Sequence, residues 1–254
     1  MAPRRQQPAA AAAPPPPQLS IIVPTYNERD NVPLLLWLIH ETCSAHGIAY
    51  EVVVVDDASP DGTAAAVRQM QRLLGAQQQA VALVSRPGKQ GLGTAYAAGL
   101  AAARAPWVVL MDADLSHHPK YLPTFLAAQQ ATGADIVTGT RYAAGGGVSG
   151  WNWRRKLTSR GANVLASVLL GLRVSDLTGA YRLYRRSVLE GLLAAVRSKG
   201  YAFQMEMIAR ASAQGAAIAE VPIVFVDRLY GESKLGRSEY VLFVRGLLRL
   251  LFTL

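Results

Sequence analysis

The sequence predicts an α/β protein in which a mostly parallel sheet is flanked by helices, and three observations lead there. From Leu19 onward, short β-branched runs alternate with helical stretches. The run Val52-Val53-Val54-Val55 is apolar without alternation, as a strand covered on both faces requires. A chain of 254 residues that is 51% apolar and 17% charged can close one sizeable hydrophobic core.

Strands are expected at Leu19 to Pro24, Tyr50 to Asp56, Ala80 to Val84, Trp107 to Asp112 and Ala134 to Thr140, with helices between them. Helix starts are marked by Asp30 or Asn31 ahead of Pro33, by Asp61-Gly62-Thr63, and by Pro119. A Gly-rich loop, Gly145 to Gly147, precedes a helix from about Trp151 to Leu172. Then come a strand near Ala180 to Tyr184, helices near Val188 and Gln204, and a strand near Ala217 to Val226. Residues 1 to 18 are expected to form a disordered tail, because 12 of them are Pro or Ala. Residues 19 to 254 then form a single domain.

The tail has no continuous apolar stretch of the kind a secretory signal needs, so the expected site of action is cytosolic. Cys43, the one cysteine, fits a buried apolar role. Residues 1 to 140 hold 9 of the 26 basic and 10 of the 17 acidic side chains, which leaves 17 basic against 7 acidic in residues 141 to 254. The second half therefore faces something anionic: nucleic acid, a membrane surface or phosphorylated substrates, or else it is simply a basic surface. A recognisable nucleic-acid-binding module is not found.

Every acidic cluster follows a strand, and in open α/β sheets the ligand crevice lies beyond the carboxyl ends of the strands. The strongest cluster is Asp112-Ala113-Asp114 at the end of an apolar run. Two carboxylates two residues apart suit a hard cation such as Mg2+ or Mn2+, and Ca2+ next, with positions left for phosphate oxygens. The alternative is a pair of capping acids ahead of Pro119. Pro24-Thr25-Tyr26-Asn27-Glu28 stands where a dinucleotide-binding or P-loop protein would carry its glycines, and offers hydrogen bonding and stacking to a nucleoside. In Asp56-Asp57-Ala58-Ser59-Pro60-Asp61-Gly62 an acid can accept from base or ribose, and a capping turn explains the run equally well. Gly91-Leu92-Gly93 is a weak anion-loop signal. His117 and His118 suit zinc better than an oxygen-loving ion and are read as supporting or turn residues.

Taken in order, Ile22 to Glu28, Val55 to Gly62, Met111 to Pro119 and Thr138 to Tyr142 resemble the inverting nucleotide-sugar glycosyltransferases of the GT-A fold, and among them the dolichyl-phosphate mannosyltransferase catalytic subunits. So do Ser159 to Asn163, Ser175 to Arg182, Gln204 to Met207 and Val226 to Lys234, so that the resemblance spans Leu19 to Leu254. It implies transfer of mannose from GDP-mannose to dolichyl phosphate with inversion. The product would be a mannose donor for N-glycosylation, GPI-anchor assembly and O- and C-mannosylation. It implies that Pro24, Tyr26, Glu28, Val55 and Asp57 hold guanosine, that Asp112, Ala113 and Asp114 hold the metal-diphosphate end, and that Arg141, Arg228 and Lys234 meet phosphate. The same resemblance implies that Asp114, Arg141, Arg228 and Lys234 carry the catalytic role. Ser116 stands where some relatives place a Gln, as a third metal ligand. For the acceptor phosphate the expected residues are Arg141, Arg155 and Ser159, since guanidinium forks match phosphate oxygens. Arg228 to Gly236 is expected to close over the donor.

Val241 to Leu254 is apolar, but it is 14 residues long and interrupted by Arg245 and Arg249, short of the ~20 residues a spanning helix needs. Residues 238 to 254 are expected to form an amphipathic helix that lies on a membrane surface or packs on the core or a partner. The resemblance implies small membrane-embedded partner subunits at the cytosolic face of the endoplasmic reticulum. Two rival functions are transfer of another sugar, such as glucose from UDP-glucose, and a non-catalytic nucleotide-sugar-binding regulator.

Overall fold

The computed structural model describes residues 16–74, 81–198, 201–228 and 237–253. The first fifteen residues of the expected tail, Lys234 and most of the expected closing loop lie outside them. Strands β1 (Leu19–Thr25), β2 (Tyr50–Asp56), β3 (Val81–Ser85), β4 (Trp107–Leu110), β5 (Ile136–Thr140), β7 (Arg182–Arg185) and β8 (Ile218–Pro222) form a seven-stranded sheet in the order β3-β2-β1-β4-β7-β5-β8. A separate pair, β6 (Gly147–Ser149) and β9 (Val224–Val226), lies alongside. The helices are α1 (Val32–Ala45), α2 (Thr63–Leu73), α3 (Leu92–Ala102), α4 (Leu122–Thr132), α5 (Trp153–Leu169), α6 (Arg186–Ala195), α7 (Tyr201–Ala213) and α8 (Arg237–Thr253).

The unalternating Val run explains itself through the layers. Val52 and Val54 pack with Leu35, Ile39 and Cys43 of α1 on one side of the sheet. Val53 and Val55 pack with Ala95, Tyr96 and Leu100 of α3 on the other. Successive side chains of a strand point to opposite faces, so burial of both faces leaves no place for a polar residue. Gly99 of α3 lies so close to the sheet that a side-chain carbon there would collide with Ile22.

The sheet is mostly parallel, as expected, with β7 running antiparallel between β4 and β5. Two expectations need correction. The strand expected to reach Asp112 stops at Leu110: the Met111 N–H still bonds to the Ile22 carbonyl at 3.1 Å, but the Asp112 N–H turns to His117 Nδ1 at 3.1 Å. The single strand expected over Ala217 to Val226 is two. Pro222 has no N–H for the ladder, and after Ile223 the chain leaves the main sheet to pair with β6 in the register Val148↔Phe225.

β1 lies between β2 and β4 and is parallel to both, while the chain visits β3 before returning to β4. Strand order therefore reverses at the β1–β4 crevice, where α/β sheets hold ligands.

Candidate active site

A cleft of about 550 Å³ opens over that crevice, a size suited to a small-molecule ligand. Its floor carries Pro24 near the end of β1, Tyr26 and Glu28 after it, Asp57 after β2, and Asp112, Ala113 and Asp114 after β4. Its opposite wall carries Arg141, Trp151, Arg155, Ser159 and Asp227, and Arg228 reaches from there to Asp114 and Glu28 on the floor. Of the residues expected at the site and described, Val55 and Ser116 are the two that the cleft wall does not include.

The loops that hold the floor are tightly latched. Asn27, Glu28 and Arg29 give their N–H groups to Ser59 Oγ, Thr63 Oγ1 and Asp61 Oδ2, at 3.0, 3.0 and 3.1 Å. Asp56 accepts from Thr25 Oγ1 at 2.9 Å and Ser59 Oγ at 2.6 Å. Most of the Asp56 to Gly62 run thus braces the Tyr26 loop, as the capping-turn reading held, and Asp57 alone of its acids lines the cleft. Asn27, Ala58 and Leu115, one in each of the three loops, take left-handed backbone with φ of 57°, 54° and 65°. Non-glycine residues there carry strain.

Asp114 is set by its neighbours. Its Oδ1 accepts from Ser116 Oγ at 2.6 Å and Ser116 N at 3.1 Å, and its Oδ2 from Arg228 Nη2 at 2.9 Å. Burial opposes ionisation, yet the Ser116 hydrogen bonds and the Arg228 charge hold the carboxyl below the usual carboxylate range. Arg228 also lies 3.6 Å from Glu28. Asp112 is the more open partner, with its side chain 39% exposed against 15% for Asp114. Ser116, expected as a third ligand, does not line the cleft; its buried hydroxyl donates to Asp114 at 2.6 Å and orients that carboxylate.

His117 stacks on Tyr181 at 5.0 Å, and burial pushes its pKa down to about 4. It is a neutral imidazole whose Nδ1 lone pair takes the Asp112 N–H, which leaves that nitrogen no part in a metal site. His118 accepts from Lys120 N at 3.1 Å and caps the turn at Pro119. Both serve as supporting residues.

The donor set suits a hard divalent ion. Among the described residues no group of three or more His, Cys, Asp and Glu forms a metal cluster. Asp112 and Asp114 would supply two carboxylates and leave coordination positions for water and phosphate oxygens, which is how Mg2+ and Mn2+ are held in nucleotide sites.

On the opposite wall, Arg141 donates from Nε and Nη2 to Asp176 at 2.6 and 2.7 Å, and from Nη2 to Thr178 at 2.7 Å. Burial raises the Asp176 pKa, but the Arg141 guanidinium outweighs it and the carboxyl stays ionised below the usual range. Ser159 Oγ is 2.6 Å from the Tyr142 hydroxyl, and Arg155 lies 3.9 Å over the Trp151 ring.

Sequence reasoning missed Lys89, Trp151 and Phe225 of the cleft lining and Arg86 behind it. Arg86 grips both Asp57 oxygens, at 2.5 and 2.7 Å, so that Asp57 meets a ligand as half of an ion pair. Lys89 lies 3.5 Å over the Tyr26 ring. Trp151 and Phe225 form the apolar part of the far wall. Arg86, Lys89 and Trp151 are basic or aromatic residues in loops and Phe225 is one in a short strand, and chain position alone does not distinguish them from surface residues.

The comparisons with known proteins agree with this geometry. Residues 20–193 match glycosyl transferase family 2. The chain belongs to that family. It is 44% identical over 222 residues to the polyprenol monophosphomannose synthase of Mycolicibacterium smegmatis, a match covering 86% of this chain and 81% of that one. It is 40% identical over 224 residues to the undecaprenyl-phosphate mannosyltransferase of Micrococcus luteus, covering 85% and 86%. The fold also matches the crystal structure of glucosyl-3-phosphoglycerate synthase from Mycobacterium tuberculosis in complex with Mn2+, UDP and phosphoglyceric acid. That match has a TM-score of 0.67 at 21% identity and covers 93% of this chain and 78% of that one. This family 2 glycosyltransferase therefore has the GT-A-like fold expected of it. The two sequence relatives are bacterial polyprenyl-phosphate mannosyltransferases, whereas the motif resemblance pointed to dolichyl-phosphate enzymes.

Proposed function

We propose that this glycosyltransferase moves mannose from GDP-mannose to a polyprenyl phosphate, dolichyl phosphate among them, with inversion at the anomeric carbon. One observation carries the reading: a single cleft has acids for a metal-bound diphosphate on its floor, Arg228 in contact with them, and Arg141 and Arg155 on its far wall. Two phosphate-bearing substrates meeting in one cleft need that division of charge. The names of the two mannosyltransferase relatives support the sugar and the lipid class.

A phosphate monoester with a second pKa near ~6 is already ionised at neutral pH, so the attacking oxygen needs no general base. Attack forms the new anomeric C–O bond as the bond to GDP breaks. What remains for the protein is positioning and charge stabilisation. Asp112 and Asp114 would hold Mg2+ or Mn2+, which supplies Lewis acidity at the departing diphosphate. Pro24, Tyr26, Glu28 and Asp57 would hold the nucleoside. Arg228, with Lys234 beyond the described residues, would meet the diphosphate, and Arg141, Arg155 and Ser159 the acceptor phosphate.

A membrane surface is the partner for such a lipid. Trp153, Leu157, Val164, Leu165 and Val168 form an exposed apolar stripe on α5, beside Arg154, Lys156 and Arg160 on the same helix, a pattern suited to an anionic interface. One face of α8 packs on α7 through Leu247 and Leu250, while Val244, Leu248 and Phe252 are exposed. No described helix is long and apolar enough to cross a membrane. For a dolichyl acceptor, the place of action is the cytosolic face of the endoplasmic reticulum, with small membrane-embedded subunits as anchors.

The test is transfer of radiolabelled sugar by the purified chain. GDP-mannose is set against UDP-glucose, dolichyl phosphate against undecaprenyl phosphate, and Mn2+ against chelator. Mannosyl lipid from GDP-mannose, lost on chelation, is expected. Preference for UDP-glucose, or full activity in chelator, overturns the reading.

A further inference from the structure

The three cleft arginines are held in different ways. Arg141 is paired with the fully buried carboxylate of Asp176, which cancels most of its charge. Arg228 is shared between Asp114 and Glu28. Among the described residues, Arg155 has its nearest carboxylate oxygen, on Asp227, at 3.7 Å, and rests on the Trp151 indole at 3.9 Å. An aromatic face fixes a guanidinium through its quadrupole without neutralising it, and leaves the N–H groups in the guanidinium plane to other acceptors. Arg155 is thus pinned while its charge is kept.

The surrounding structure fixes the indole. Trp151 is 9% exposed, and its ring meets Phe225 of β9 edge-on at 5.6 Å. It follows Gly150, whose φ of 87° makes the turn out of β6 and where a side-chain carbon would sit 2.8 Å from Asp227 Cβ. The Asp227 N–H closes that turn on the Ser149 carbonyl at 3.1 Å. Trp151 Nε1 is buried with no hydrogen-bond partner among the described residues, although a buried donor left unpaired is costly. A side chain chosen for packing alone would be an aliphatic one such as Leu, which brings no donor to leave unpaired. When a phosphate approaches, its charge repels the Asp227 carboxylate, whereas the indole contact survives.

We propose that Trp151 is a positioning residue for the acceptor phosphate, acting through Arg155. The proposal rests on the acceptor assignment made above and names a residue which that assignment does not include. Its test is a double-mutant cycle with Trp151→Leu and Arg155→Ala, read as KM for polyprenyl phosphate, KM for GDP-mannose and kcat. Trp151→Leu is expected to raise the acceptor KM about tenfold, with donor KM and saturated kcat within about twofold of wild type. Trp151→Phe, which keeps the ring, should recover most of the loss. In the Arg155→Ala background Trp151→Leu should add little, because the partner it positions is gone. Multiplying effects in the double variant, or a rise in donor KM equal to that in acceptor KM, would overturn the proposal. Inorganic phosphate binding by the same four proteins reads the coupling without the lipid. Loss of transfer by the wild-type chain therefore counts against the acceptor assignment, and additive phosphate affinities count against the role of Trp151.

Discussion

The floor of the cleft and its far wall achieve ligand binding by opposite routes. On the floor, every functional side chain sits within a few residues of the end of β1, β2 or β4, and short loops latched to one another hold it there. On the far wall the groups come from the end of β5, the turn after β6, α5 and the residues after β9, and Arg141 reaches 35 residues along the chain to its partner Asp176. The floor is acidic and strained in its backbone; the wall is basic and relies on ion pairs, stacking and a two-stranded sheet. A site for a metal-bound diphosphate thus comes almost ready-made from parallel strands, whereas a site for a second anion has to be assembled across the fold.

The comparison breaks hardest at Asp114. Asp114→Ala is expected to lower transfer by on the order of 10³-fold, the scale of several kcal/mol of charge stabilisation at a metal site. Thermal stability should stay near wild type. Mn2+ titration by calorimetry or spin resonance, paired with turnover, checks it, and unchanged metal affinity would remove Asp114 from the site.

On the wall the expected failure is one of folding. Asp176→Asn leaves the Arg141 guanidinium buried without its carboxylate and should cost about 3–5 kcal/mol, read from urea unfolding. Because the folded Asp176 pKa is lowered, its stabilisation is fully present above the unfolded value of ~3.9 and is lost as pH falls through the lower folded value. The acid limb of the stability curve should therefore flatten in Asp176→Asn; an unchanged limb would mean that other carboxylates set it.

A smaller effect separates orientation from ligation. Ser116→Ala removes the 2.6 Å hydrogen bond to Asp114 and should weaken metal affinity and transfer roughly tenfold, the range for supporting partners of a ligand. A loss as large as that of Asp114→Ala would return Ser116 to the ligand set. The smallest change expected is a gain. Ala58 is exposed and left-handed at φ 54°, so Ala58→Gly should relieve strain that outweighs the added chain entropy, raising stability by up to ~1 kcal/mol. A fall in melting temperature would show that the loop is not strained there.

How much of this was legible beforehand follows the same division. Leu19 to Asp56 and the acids after each strand could be read directly, because hydrophobic period and turn chemistry are local and the crevice of a parallel sheet lies at a known end. Lys234 falls outside the described residues. Arg141, Arg155 and Ser159 were reached through motif resemblance and a preference for guanidinium forks, and the structure brings all three to the cleft. Their partners were not foreseen. Nothing near Arg86 in the chain points to Asp57, 29 residues away, and nothing near Trp151 says that its face will carry Arg155.

By itself, then, the sequence determined the layered α/β architecture, the acidic crevice and the excess of positive charge in the second half, since each follows from short-range pattern or from composition. Tertiary structure alone decided which charges cancel and which remain for a ligand. Pairing between side chains far apart in the chain depends on angstrom distances that come into being when the sheet and its helices have packed.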